Sequence, residues 1–283
     1  MTHQRRILTA ALCAALSLGT PAVAGDEPKT LTSAQANPFS ALVGKKRERR
    51  QSPAARVSIE RYVLASDDRA FLFEDRSNEA RVKFLCGADD PRLECVIDAR
   101  GSAAEIYILA PTRGPRGDMI YKNAEGDVFL RIASYGGATV FWPGDAQGRA
   151  ASKSFGDNEF LALSFTEYET AVRRAQAATA IVSAMTGAPI IFDLGAPPKA
   201  EGTNAAVLAD AVVMAAKGVK EVAEDPTGAR IIASRIGKIA FLADQAASVS
   251  LNGVVLEIRY VPIGDVDARP SSAAVARFLE ETL

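Results

Sequence analysis

Between Arg61 and Trp142 short apolar-alternating runs recur roughly every ten residues. They fall at Arg61–Leu64, Ala70–Phe73, Arg81–Leu85, Glu94–Ile97, Glu105–Leu109, Asp118–Tyr121, Val128–Ile132 and Ala138–Trp142. Turn formers separate them, among them Asp67-Asp68, Ser77-Asn78, Asn123-Ala124-Glu125-Gly126 and Tyr135-Gly136-Gly137. A period of two turns one face of each run toward a core, and short turns leave neighbouring runs antiparallel. Residues 57–145 are therefore expected to form an antiparallel all-β module, barrel-like or sandwich-like.

Past Pro143 the pattern changes. Residues 146–160 are rich in Gly, Ala and Ser and read as a linker. Residues 161–283 read as a helical domain with a small β-hairpin, so the fold class is α+β. Ser164-Phe165-Thr166-Glu167 has the form of a capping box, and Leu161, Phe165, Tyr168, Val172, Ala175, Val182 and Met185 keep one helical face. Gly187 and Pro189 stop that helix. A second helix is expected from Thr203 or Asn204 to Glu224, burying Val207, Leu208, Ala211, Ala215, Val219 and Val222. Asp225-Pro226 starts a third, carrying Ile232, Ile236, Ile239 and Leu242. Asn252-Gly253 between Ser248–Leu251 and Val254–Val261 is the strongest hairpin signal in the chain. A last amphipathic helix follows Pro270 and presents Val275, Phe278 and Leu279.

The N-terminus reads as an export signal over residues 1–24. Arg5-Arg6 supply the basic start, Ile7–Gly19 the apolar stretch, and Ala22-Val23-Ala24 the small-x-small pattern before a cut at Gly25. The stretch is short for a bilayer core of about 30 Å. Cys13 lies inside it behind bulky Leu12, which argues against lipidation. No later run approaches the length of a membrane span, so the mature chain is expected to lack a transmembrane segment and to be periplasmic or secreted. Residues 25–56 read as a flexible basic lead-in, with one short helix from Asn37-Pro38 through Val43. Within it Lys45, Lys46, Arg47, Arg49 and Arg50 form the densest charge run. Its plain reading is a solvated linker; its functional reading is a tether to an anionic envelope polymer. Nucleic acid is not an expected partner of an exported chain.

Export places Cys86 and Cys95 in an oxidising compartment. Gly87, Asp89-Asp90 and Pro91 between them are turn formers, and the spacing is not that of a redox C-x-x-C pair. A structural disulfide is expected.

The stretch Ile108–Phe141, with its Pro-Arg-Gly-Asp at 115–118 and Tyr-Gly-Gly at 135–137, resembles a family of exported alphaproteobacterial proteins catalogued as a domain of unknown function. The resemblance is strongest from Tyr62 to Pro143. It continues more loosely to the Asn252-Gly253 hairpin and Arg269-Pro270-Ser271-Ser272, and is weakest around Cys86 and Cys95. It implies no activity.

The only histidine is His3, inside the export signal. The mature chain therefore has no Ser-His-Asp triad, no Cys-His pair and no His-ligated zinc. Glycine-rich phosphate loops and an S-x-x-K pair are missing as well. Ser152-Lys153-Ser154 reads as exposed polar filler. Asp89-Asp90 and Asp265-x-Asp267 lack calcium-loop spacing and read as turn acids. No metal and no cofactor is implied. The loop carrying Arg113, Arg116 and Asp118 reads first as a turn and second, with Tyr135, as a place where two guanidiniums clamp an anion. The resulting expectation is a non-enzymatic envelope protein that binds a ligand or partner. The alternative is a hydrolase of envelope glycans working through paired carboxylates without histidine. A cleft with two close carboxylates, one raised in pKa, favours the hydrolase; a closed barrel with a dry lumen favours carriage inside it.

Overall fold

Eight strands close the first part of the structure into a barrel. The computed structural model describes residues 59–76, 78–98, 101–155, 161–197 and 202–283, all within one unit that begins at Ala55. The export signal, the lead-in and the basic run 45–50 lie outside the described residues.

The barrel strands are β1 (Ile59–Leu64), β2 (Ala70–Asp75), β3 (Ala80–Phe84), β4 (Ile106–Arg113), β5 (Met119–Lys122), β6 (Val128–Ile132), β7 (Ala138–Phe141) and β8 (Gly148–Ser154). Each pairs antiparallel with the next, and β1 pairs with β8 in the register Val63↔Ser152. Alternate residues point inward and fill the interior with rings. Tyr62 stacks on Phe71 at 5.0 Å, Phe73 meets Tyr121 edge-on at 4.9 Å, and Phe84 meets Trp142 at 4.6 Å. An eight-stranded barrel is about wide enough for its own side chains, and these occupy it. A ligand site must lie outside the lumen.

Two elements differ from the sequence reading. Residues 148–154, expected within a linker, form β8 and close the barrel. Gly, Ala, Ser and Lys are poor strand formers. Here the unpaired edges of β1 and β7 supply the hydrogen-bond partners that local propensity does not. Residues 94–97, expected as a strand, belong to the short helix α1 (Leu93–Ile97), held by the Cys86–Cys95 disulfide.

The second part contains α2 (Tyr168–Thr186), β9 (Ile191–Asp193), α3 (Ala206–Ala223), α4 (Pro226–Arg235), β10 (Lys238–Ala243), β11 (Ser248–Asn252), β12 (Val255–Tyr260) and α5 (Ser272–Thr282). The sheet is four-stranded and mixed, in the order β11-β12-β10-β9, with β10 parallel to both β9 and β12. It therefore exceeds the expected hairpin. Phe192, Ile239, Phe241, Leu256 and Ile258 on one face pack into the core with the helices. The other face is polar, with the Lys238–Asp193 and Arg259–Glu257 ion pairs. Ile239 and Leu242 thus lie on a strand, and the third helix ends at Arg235.

The helix boundaries have local causes. Asp225 accepts hydrogen bonds from the Thr227 and Gly228 amides and Pro226 opens α4, as the sequence indicates. Ser164 does not cap α2, which begins after Glu167 without a side-chain cap. Instead Asn204 Oδ1 accepts from the Thr166 and Ala206 amides and ties the starts of α2 and α3 together. Helix α3 is buried on almost every side from Val207 to Ala216. Gly218 lets α5 cross it closely, since a Cβ there would lie 2.6 Å from Val275 Cβ and 2.7 Å from the Ser272 carbonyl. The barrel exterior joins this half through Leu72, Ile106, Leu161 and Val266. Asp265, expected as a turn acid, pairs with Arg81 and accepts the Leu163 amide at 2.9 Å.

Candidate functional site

Lys217 lies on the part of α3 that faces the barrel. Its Nζ donates to Glu105 Oε2 at 2.8 Å, Tyr107 Oη at 3.0 Å and Glu94 Oε1 at 3.1 Å. Glu105 precedes β4 and also accepts from the Ser272 hydroxyl at 2.7 Å, which draws the start of α5 into the network. Glu94 reaches Lys217 because the disulfide fixes α1 at the end of β3, with Cα atoms 5.6 Å apart. Burial alone would raise the Glu105 pKa, but Lys217 and Arg269 outweigh it and hold the carboxyl below its ordinary value. Burial would likewise lower the Lys217 pKa, yet Glu105, Tyr107 and Glu94 hold it well above the usual lysine value. Glu105 and Lys217 are thus both held in their charged forms at neutral pH, with Tyr107 kept neutral by burial.

Above this floor opens a cleft of about 700 Å³. One wall is the barrel rim, with Tyr107, Phe129, Phe141 and Trp142; the other is α3, with Lys217, Lys220, Glu221 and Glu224. Glu125 on the β5–β6 turn pairs with Arg277 of α5. A second lobe of about 450 Å³ shares Arg92, Trp142 and Asp145 with the first and adds Arg69 and Asp89. Trp142, the only tryptophan of the chain, carries the Arg69 guanidinium 4.8 Å and the Arg92 guanidinium 5.2 Å from its ring centre. Glu221 is exposed on α3, yet its pKa is raised by partial desolvation at the cleft wall and by the negative charge of Glu280, Glu105 and Glu224, against the opposing charge of Lys217. No group of three or more metal-ligating side chains occurs among the described residues, and none of their helices is long and apolar enough to cross a membrane.

The family described as Domain of unknown function (DUF4908) matches residues 38–279. The chain belongs to this family. No curated protein and no solved structure matches it. In this DUF4908 protein the matched span covers both walls of the cleft and the network beneath it.

The residues singled out in the sequence lie elsewhere on the DUF4908 barrel. Arg116 takes a left-handed backbone at φ 60 before Gly117, so the loop is the tight turn the sequence suggests. Asp118 is buried and accepts from Arg131 Nε at 2.9 Å and the Ser134 amide at 3.2 Å. Those bonds bring the 113–118 loop beside the turn bearing Tyr135, which is 89% exposed. Arg113 and Arg116 are exposed. The structure thus joins the two loops and commits Asp118 to holding them. Cys86 and Cys95 are bonded. Sequence reasoning missed the cleft itself, whose lining comes from well-separated segments between Arg92 and Ala273. One signal was available: Lys217 follows directly on the apolar run Ala211–Ala216 of a helix expected to be buried, and a lysine there needs partners.

Proposed function

We propose that the protein is an exported, non-enzymatic envelope module that binds a small ligand in the cleft between the barrel rim and α3. The observation that carries this reading is the combination of an aromatic wall with a rigid ionised floor in a space of ligand size. The Lys217 network ties α1, β4, α3 and α5 together, so the walls stand in place before a ligand arrives, which lowers the cost of binding. The loop pair of Arg113, Arg116 and Tyr135 is the weaker candidate for an anion, because all three side chains are exposed and enclose no space for a ligand.

The hydrolase alternative has one observation in its favour, the raised pKa of Glu221. Against it, the closely placed carboxylates Glu94 and Glu105 both serve as counter-ions to Lys217, and a carboxyl held below its ordinary pKa is a poor proton donor.

Trp142 provides the test. Its emission is expected to change saturably when the full mature chain is titrated with a dialysed envelope extract. Steady release of reducing ends from envelope glycan, abolished in Glu221→Gln, would instead establish the hydrolase.

A further inference from the structure

We propose that the ligand of this cleft is a cation, an ammonium carried on an apolar skeleton, received by Phe129, Phe141, Asp127 and Glu221. This rests on the cleft being the binding site and concerns what it selects.

The charges around the cleft are unequally satisfied. Each basic group lining it has an acidic partner: Arg69 with Asp67, Arg92 with Asp90, Lys217 with Glu94 and Glu105, Lys220 with Glu224. Among the described residues, three lining carboxylates make no ion pair: Asp89, Asp127 and Glu221. Asp127 bonds only to Asn123, and Glu221 stands in the field of Glu224, Glu280 and Glu105, with Lys217 the opposing charge. An incoming anion would have to displace an existing carboxylate partner. An incoming cation relieves repulsion already present.

The rings give a separate indication. Two of the four aromatic side chains on the barrel wall already hold cations of the protein, Trp142 with two arginines and Tyr107 with Lys217 at 5.2 Å. Phe129 and Phe141 line the same wall, and among the described residues no cation lies over either ring. An ammonium over a desolvated ring gains attraction from its quadrupole, and the carbon skeleton gains apolar contact. Asp127 on the rim and Glu221 on α3 place a carboxylate on either wall of the same space. The first lobe accommodates the ammonium and its apolar skeleton, and the second, with Asp89, a further amine.

The test uses probe pairs matched in skeleton and different in charge: glucosamine trisaccharide against its fully N-acetylated form, spermidine against its triacetylated form, and tyramine against tyrosol. Binding is read by Trp142 emission and by calorimetry on the full mature chain. The charged member of at least one pair is expected to bind at least about tenfold more tightly than its neutral partner. Glu221→Gln and Asp127→Asn are expected to remove most of that difference, and added salt to reduce it. Equal binding of charged and neutral members overturns the charge selection while leaving the cleft as the site. A preference for a glucuronate trisaccharide does the same. Absence of any response from every probe at millimolar concentration overturns both readings.

Discussion

Lys217 Nζ lies 2.8 Å from Glu105 Oε2, so a helix of the second half is ion-paired to the residue that leads into barrel strand β4. Glu105 is almost wholly buried and Lys217 largely so. Removing one partner strands a charge: Lys217→Ala is expected to cost about 3–5 kcal/mol in urea unfolding, since Glu105 loses its ion-pair partner and Glu94 keeps only Arg92, 3.6 Å away. The triple variant Lys217→Met, Glu94→Gln, Glu105→Gln should recover most of that loss, because no buried charge is then left alone. A triple variant as unstable as the single one would contradict this.

The same network sets the pH limits of stability. The folded Glu105 pKa lies below 4.5, so its contribution is present above that value and fades as pH falls through the lower folded value. Lys217 acts at the other limit. Its folded pKa is above 10.5, so its contribution is present below 10.5 and fades as pH rises through the higher folded value. Urea midpoints should fall as pH drops through the folded Glu105 value and again as it rises through the folded Lys217 value, and the triple variant should fall less at both ends.

The disulfide holds Arg92 and Glu94 at the cleft. Its partners are separated by 9 residues in the sequence, and cross-linking so small a loop contributes about 2–3 kcal/mol in the chain-entropy account. Reduction, or Cys86→Ser with Cys95→Ser, is expected to lower the thermal midpoint by several degrees and to weaken ligand binding more than stability alone explains. Unchanged binding after reduction would show that α1 does not shape the site.

Gly218 is required by distance rather than by its backbone angle. Alanine there would press on Val275 Cβ and the Ser272 carbonyl, both part of α5. Gly218→Ala is expected to cost about 1–3 kcal/mol through this overpacking. The shift of Ser272 should also show as altered amide signals at Glu105, which Ser272 contacts.

Much of the fold was readable locally. The hairpin expected at Asn252-Gly253 is there, one residue on: Asn252 pairs with Val255, and Gly253 at φ 61 opens the two-residue turn with Val254, a position that needs a residue tolerant of positive φ. Asp225-Pro226 opens its helix, and Cys86 and Cys95 pair, for reasons confined to a few neighbouring residues. What escaped depends on distant partners. Residues 148–154 become a strand only because β1 and β7 leave edges open. Ile236 and Ile239 keep a helical spacing across Gly237, yet Ile239 lies in β10, since Ile191–Asp193 and Val255–Tyr260 flank it as parallel neighbours. The cleft escaped for the same reason. Glu94, Tyr107, Phe129, Trp142 and Glu221 carry no shared motif, and only the closed barrel set against α3 brings them together.

The most direct measurement is native mass spectrometry of the protein purified from its native cells, beside a variant with the cleft filled by Ala273→Trp and Phe129→Trp. The wild-type protein is expected to carry a non-covalent adduct that leaves on denaturation, and the filled variant, folded by circular dichroism, to lack it. A bare wild-type protein, or an adduct retained equally by the filled variant, would contradict binding at this cleft.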